Sequence, residues 1–125
     1  MTFPAYSYTQ LKIKKLMEHK IYLNPTLFEG FGKSFIEGMA AGCCVVGTNV
    51  GAAIDYIEDG ETGVIIKRRD SADIFSKIEY LFNNPGKMED ISKAAFLKVR
   101  DLSWKTLAKA TLDFYDTILM TGVEK

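Results

Sequence analysis

The chain is poor in residues that cross-link small folds. It holds two cysteines, Cys43 and Cys44, one histidine, His19, and one tryptophan, Trp104. Adjacent cysteines inside an apolar run read as small core side chains rather than a disulfide framework. With a lone histidine they assemble no standard zinc set, and Cys44 lacks a visible base that would make it a nucleophile. His19 falls at a helix end, where a solvated imidazole suits the dipole. An excess of one charge is also missing, because sixteen basic and sixteen acidic residues cancel. Nucleic-acid binding needs a basic patch to displace counterions, so no nucleic-acid partner is expected. No apolar run reaches the roughly 18 residues of a membrane-spanning helix, and no charged, then apolar opening marks a secretion signal. These absences imply a soluble, reduced, cytoplasmic domain.

What is present suits one compact core. The chain has 125 residues, 47% of them apolar, enough for a single domain. It opens on a helix-like stretch, Tyr6 to Lys20, without the strand and glycine-rich turn that usually begin a doubly wound domain. Leu11, Ile13, Leu16 and Met17 form that helix's apolar side. Lys12, Lys14, Lys15 and Lys20 are interrupted by Glu18, and the other face lacks large aromatics, so membrane contact is unsupported and the lysines read as a solvated face.

Ile21 to Asn24 predicts a short buried strand, stopped by Pro25. Thr26 to Phe31 is a loop, and a helix follows from Gly32 or Lys33 to Ala41. Phe35, Ile36, Met39 and Ala40 would face a sheet, and Gly42 would end the helix in the left-handed region. Cys43 to Thr48 reads as a strand buried on both faces. After a loop at Asn49 to Ala53, one helical turn is expected at Ile54 to Glu58, then a turn at Asp59 to Gly63 and a strand at Val64 to Ile66. Ser71 can cap a helix from Ala72 to Asn83, with Ile74, Ile78, Leu81 and Phe82 inward. Asn83 to Gly86 breaks it, and Lys87 to Arg100 forms the next helix. Ser103 can cap a last helix, Trp104 to Met120, whose apolar residues are expected in the core. The alternation predicts an α/β fold: a short parallel sheet of about three strands flanked by helices, with one edge bare.

The chemistry concentrates between Asn24 and Glu37. Ligands of open parallel sheets bind outside the carboxyl ends of the strands, where Glu29 would lie. Gly30, Phe31 and Gly32 place amides at a helix N-terminus that favours anions or oxygen-rich groups. Glu37, four residues past Lys33, can lean back toward that terminus. Carboxylates accept paired hydrogen bonds from vicinal hydroxyls, so two acids around an amide turn suit a nucleotide sugar. Spacing leaves a second reading open, in which Glu29 is a loop acid favoured by the dipole and Glu37 a surface acid paired with Lys33. Gly32-Lys33-Ser34 is not a phosphate-binding P-loop, because Leu27 stands where that motif needs a glycine.

Pro25-Thr26-Leu27-Phe28-Glu29-Gly30-Phe31-Gly32, then Phe35-Ile36-Glu37-Gly38-Met39-Ala40-Ala41-Gly42, then Val45-Val46, resembles the donor-binding signature of family-four ("group 1") glycosyltransferases. Gly51, the turn and strand Glu58 to Val64, Asn83-Asn84-Pro85 and Ser103-Trp104 extend the resemblance over roughly residues 7–118. It implies a partial Rossmann-like three-layer domain, the C-terminal half of a GT-B fold, with residues 1–125 a truncated nucleotide-sugar-binding domain. It implies transfer of a hexose from a nucleoside diphosphate sugar to a hydroxyl acceptor with retention, and no cofactor or metal. Glu29 would meet the donor sugar and the reacting centre, the amides of Gly30, Phe31 and Gly32 the sugar and phosphates, and Glu37 the ribose; Lys33 could touch a phosphate. Departures are Cys44 for a usual proline, Ala52 for the second glycine of a Gly-Gly loop, and Asp55 for a glutamate. The family's diphosphate-binding arginine and lysine, and its N-terminal Rossmann domain, have no counterpart here. The isolated chain is therefore expected to transfer little sugar. The alternative is a non-catalytic partner subunit, or a remnant, that needs a separate N-terminal domain.

Overall fold

A computed structural model describes residues 8–102 and 104–120. The expected α/β architecture is observed. Helix α1 (Tyr8–Met17) leads to strand β1 (Ile21–Asn24), helix α2 (Lys33–Ala40) and strand β2 (Cys44–Thr48). A 3-10 turn (Gly51–Asp55) and strand β3 (Val64–Ile66) follow, then helices α3 (Ser71–Asn83), α4 (Pro85–Val99) and α5 (Trp104–Met120). The sheet is parallel in the order β1-β2-β3. Ile21 lies opposite Cys44 and Val46 opposite Val64.

Successive strand residues face opposite sides of a sheet, and β2, buried at every position, therefore feeds two cores. Val45 packs with Phe35, Met39, Ala53, Tyr56 and Ile57 on the α2 side. Cys44 and Val46 pack with Val64, Ile66 and Leu81 on the α3 side. Helix α4 joins the two, giving Met88 and Ile91 to one cluster and Ala95 and Val99 to the other. Each fully buried side chain of this size contributes roughly 1.5–3 kcal/mol, so these clusters hold the layers together. The cysteines are buried and free, as expected. Burial, then the neighbouring Cys43, pushes the Cys44 thiol up to about 11, and burial also raises Cys43, so both remain protonated and unreactive near neutrality.

Several local expectations are corrected. Asp70, not Ser71, caps α3: its carboxylate accepts from the Asp73 amide at 2.9 Å. Both residue types can cap, but a carboxylate also suits the positive end of the dipole. Helix α4 starts at Pro85, whose missing N–H is not needed in the first turn. The helical turn lies at Gly51–Asp55 rather than Ile54 to Glu58, which frees Tyr56 and Ile57 to enter the α2-side core. Ala40 and Phe82 are exposed rather than turned inward. The largest difference is α5. Leu112, Phe114, Tyr115 and Leu119 are exposed, Leu119 to 78%, because no described element packs closely on them. The start of the first helix at Tyr6, the Ser103 cap and the side chains of Trp104 and Leu107 lie outside the described residues.

Candidate functional site

The loop from Pro25 to Gly32 leaves β1 at the carboxyl edge of the sheet. Its start is tied from three directions. The Asn24 amide donates to the Ser34 hydroxyl at 3.3 Å, linking the end of β1 to α2. The Thr48 hydroxyl, at the end of β2, donates to the Thr26 carbonyl. The Thr26 hydroxyl in turn donates to the Phe28 carbonyl at 2.7 Å.

The second half of the loop is held by the segment after β2. Gly51 approaches so closely that a Cβ there would lie 2.0 Å from the Glu29 carbonyl oxygen and 2.5 Å from that of Gly30. Only glycine fits, and its φ of 55° is in the left-handed region as well. The Tyr56 hydroxyl lies 2.9 Å from the Phe31 carbonyl oxygen and 2.8 Å from that of Gly32. Gly32 is left-handed (φ 75°, ψ 38°) and passes directly into the helical Lys33. Among the described residues the amides of Gly30, Phe31 and Gly32 have no hydrogen-bond partner.

The acids stand differently. Glu29 is partly exposed, and its carboxylate makes no hydrogen bond or ion pair among the described residues. Phe28, before it, is 92% exposed, and Phe31, after it, 68%. Glu37 is partnered. Its Oε1 lies 3.8 Å from Lys33 Nζ, the weak pair anticipated from spacing. Its Oε2 lies 2.5 Å from Lys12 Nζ on α1, a charge contact without aligned hydrogen-bond geometry, since that buried oxygen accepts no hydrogen bond. The Glu37 side chain is 20% exposed. The structure thus brings Lys33 and Glu37 together on α2, beside the glycine turn, and adds Lys12 to them.

Lys12 and Tyr56 are the residues that sequence reasoning missed. Lys12 looked like one of four solvated lysines, and nothing local marks it, since its partner is 25 residues away. Tyr56 offered a faint signal: a hydroxyl on an otherwise apolar stripe with Ala53 and Ile57 needs a partner when buried. Burial, then the charges of Glu29 and Asp55, pushes that hydroxyl up to about 12. His19 is exposed and its Nδ1 lies 2.6 Å from the Lys15 carbonyl at the end of α1, as a helix-terminal residue would. Shallow concavities along α5, beside Asp116 and Leu119, and along α1, beside Ile13 and Met17, lie away from this loop and are lined by single helices.

An open parallel sheet with a glycine turn at its carboxyl edge defines a Rossmann-like α/β domain. The sequence pattern of the family "Glycosyl transferases group 1" matches residues 2–98, and the chain belongs to that family. The D-inositol 3-phosphate glycosyltransferase of Arthrobacter sp. (strain FB24) is 33% identical over 95 residues, which are 76% of this chain and 23% of that protein. The crystallised C-terminal domain of a group 1 family protein (LpcC) from Francisella tularensis has a TM-score of 0.70 at 25% identity, covering 80% of this chain and 50% of that one. Anabaena HepE in complex with UDP has a TM-score of 0.76 at 19% identity, covering 83% of this chain and 29% of that one, a likeness of fold. The solved neighbours are GT-B glycosyltransferases, and the match falls in the C-terminal part of their chains.

Proposed function

We propose that the chain is the donor-binding wall of a retaining glycosyltransferase, which moves a hexose from a nucleoside diphosphate sugar to a hydroxyl acceptor. The observation that carries this is the pairing of the Glu29 carboxylate with the amides of Gly30, Phe31 and Gly32 at the carboxyl edge of the sheet, none of which has a hydrogen-bond partner among the described residues. Amides at a helix N-terminus meet the diphosphate and the sugar oxygens. Glu29 accepts from sugar hydroxyls and lies beside the reacting centre, where a carboxylate favours developing positive charge. Glu37 accepts from the ribose diol, with Lys12 on one oxygen and the other on the Lys33 side. Lys33, at the first helical position, meets a phosphate. No metal or other cofactor has a role in this scheme.

Phe28 and Phe31 face solvent and Glu29 is partly exposed, so one wall is present. A second Rossmann-type domain, on this polypeptide or another, closes the cleft and holds the acceptor. Transfer needs both reactants held together, and the 125-residue chain alone is expected to turn over little sugar. A second reading, a non-catalytic subunit that works only against another chain, is favoured by the exposed apolar side of α5; co-purification with a separately encoded N-terminal Rossmann domain supports it, and failure to associate counts against it.

Calorimetric titration of the chain with UDP-, GDP- and ADP-glucose tests the donor site. Saturable heat with one of them is expected. No heat from any, at millimolar ligand, contradicts a competent site.

A further inference from the structure

Tyr56 has no part in the roles given above, yet it is the side chain most closely engaged with the candidate turn. It is 7% exposed and packs with Phe35, Ala53 and Ile57. A phenylalanine would fill that space equally well, so the hydroxyl adds something that packing does not need. That hydroxyl sits against two consecutive carbonyls, of Phe31 and Gly32. Gly51 sits against the two before them, of Glu29 and Gly30.

Peptide planarity converts this into a statement about the opposite face. In a trans peptide the carbonyl of one residue and the N–H of the next point in opposite directions. The Glu29 and Gly30 carbonyls against Gly51 therefore turn the amides of Gly30 and Phe31 the other way, and the Phe31 and Gly32 carbonyls against Tyr56 turn the amides of Gly32 and Lys33 the other way; among the described residues none of these amides has a hydrogen-bond partner. Gly51 supplies room and Tyr56 supplies the proton. Without that proton the Phe31 carbonyl has no described donor, and the turn can rotate toward water.

We propose that Tyr56 is a positioning residue of the donor site: its hydroxyl, shared between the Phe31 and Gly32 carbonyls, aims the amides on the far side of those two peptides, of Gly32 and Lys33, at the diphosphate and sugar oxygens of the donor. This rests on the donor-site reading above. The elevated ionisation of the phenol keeps the proton in place across ordinary pH.

The test is Tyr56→Phe in the 125-residue chain, with Tyr80→Phe on the exposed part of α3 as control. Isotope-labelled protein is titrated by NMR with UDP, GDP and ADP and with uridine, guanosine and adenosine, and backbone order parameters are recorded without ligand. Tyr56→Phe is expected to lower the melting temperature by less than about 8 °C. Order parameters at Gly32 and Lys33 should fall below about 0.6. Affinity for the diphosphate should weaken about tenfold, the equivalent of one charge-assisted hydrogen bond, with the matching nucleoside changed less than about twofold. Equal losses for nucleotide and nucleoside indicate a merely structural role and overturn the proposal, as does a turn that stays rigid with unchanged affinity. If the wild-type chain binds none of the nucleotides, the donor-site reading itself fails, a result distinct from wild-type binding that Tyr56→Phe leaves intact.

Discussion

The two edges of the sheet are finished differently. Beyond β3, side chains occupy the outward backbone groups: Asp59 accepts from the Ile65 amide at 2.8 Å, Lys77 donates to the Ile65 carbonyl, and Asp73 accepts from the Lys67 amide at 2.7 Å. Beyond β1 no described side chain does this for the strand's backbone, Leu23 is exposed, and the neighbouring α1 exposes Leu11, Ile13 and Met17. An edge covered by side chains is a boundary, whereas an uncovered one invites a further partner. The candidate turn leaves from β1, the unfinished side. The β3 side is capped by its own side chains; the other side carries the candidate turn and, with α5, most of the uncovered large apolar side chains.

The largest expected effect lies in the buried clusters on the two faces of β2. Phe35→Ala or Leu81→Ala, each fully buried, should cost about 3 kcal/mol or more through lost burial and a residual cavity. Phe114→Ala and Leu119→Ala on α5 should stay within about 0.5 kcal/mol, as for surface positions. Urea midpoints measure all four. Comparable losses on α5 and in the core would erase the contrast between them.

A smaller effect sharpens the β3 edge. Asp73 is held below the usual carboxylate range, chiefly by the Lys67 amide and, against some desolvation, by the Lys77 charge. A depressed folded pKa stabilises above the unfolded value of about 4 and loses that contribution as pH falls through the folded value. The melting temperature of wild type should therefore exceed that of Asp73→Asn near neutrality, with the gap closing as pH falls below about 4 through the folded value. A gap that persists at the acid end contradicts a charge-based cap.

This division also explains what could be read from sequence. The three strands, the left-handed Gly42 (φ 86°) and the run from Glu29 to Glu37 are local patterns, and local patterns place elements. Asp70 and Ser71 are adjacent capable caps, and only the realised geometry chooses between them. The 3-10 turn shifted toward Gly51 because Tyr56 and Ile57 gain more as core residues than as helix. The apolar periodicity of α5 marks a face that would benefit from burial, but periodicity does not supply the surface opposite it. Lys12 and Tyr56 act across 25 and 24 residues, and no spacing rule links partners so far apart.

The central claim is that the start of α2 reads a nucleotide sugar, with Glu37 on the nucleoside and Glu29 on the sugar. The most direct measurement is the affinity of wild type, Glu37→Ala and Glu29→Ala for whichever of UDP, GDP and ADP binds, and for its glucose-bearing form. Losing a hydrogen bond to a carboxylate is worth about 1.5–3 kcal/mol, or roughly tenfold or more in affinity. Glu37→Ala should weaken both ligands by that factor, while Glu29→Ala should weaken the sugar-bearing form and leave the free nucleotide nearly unchanged. Equal binding of both ligands by all three proteins would contradict the account.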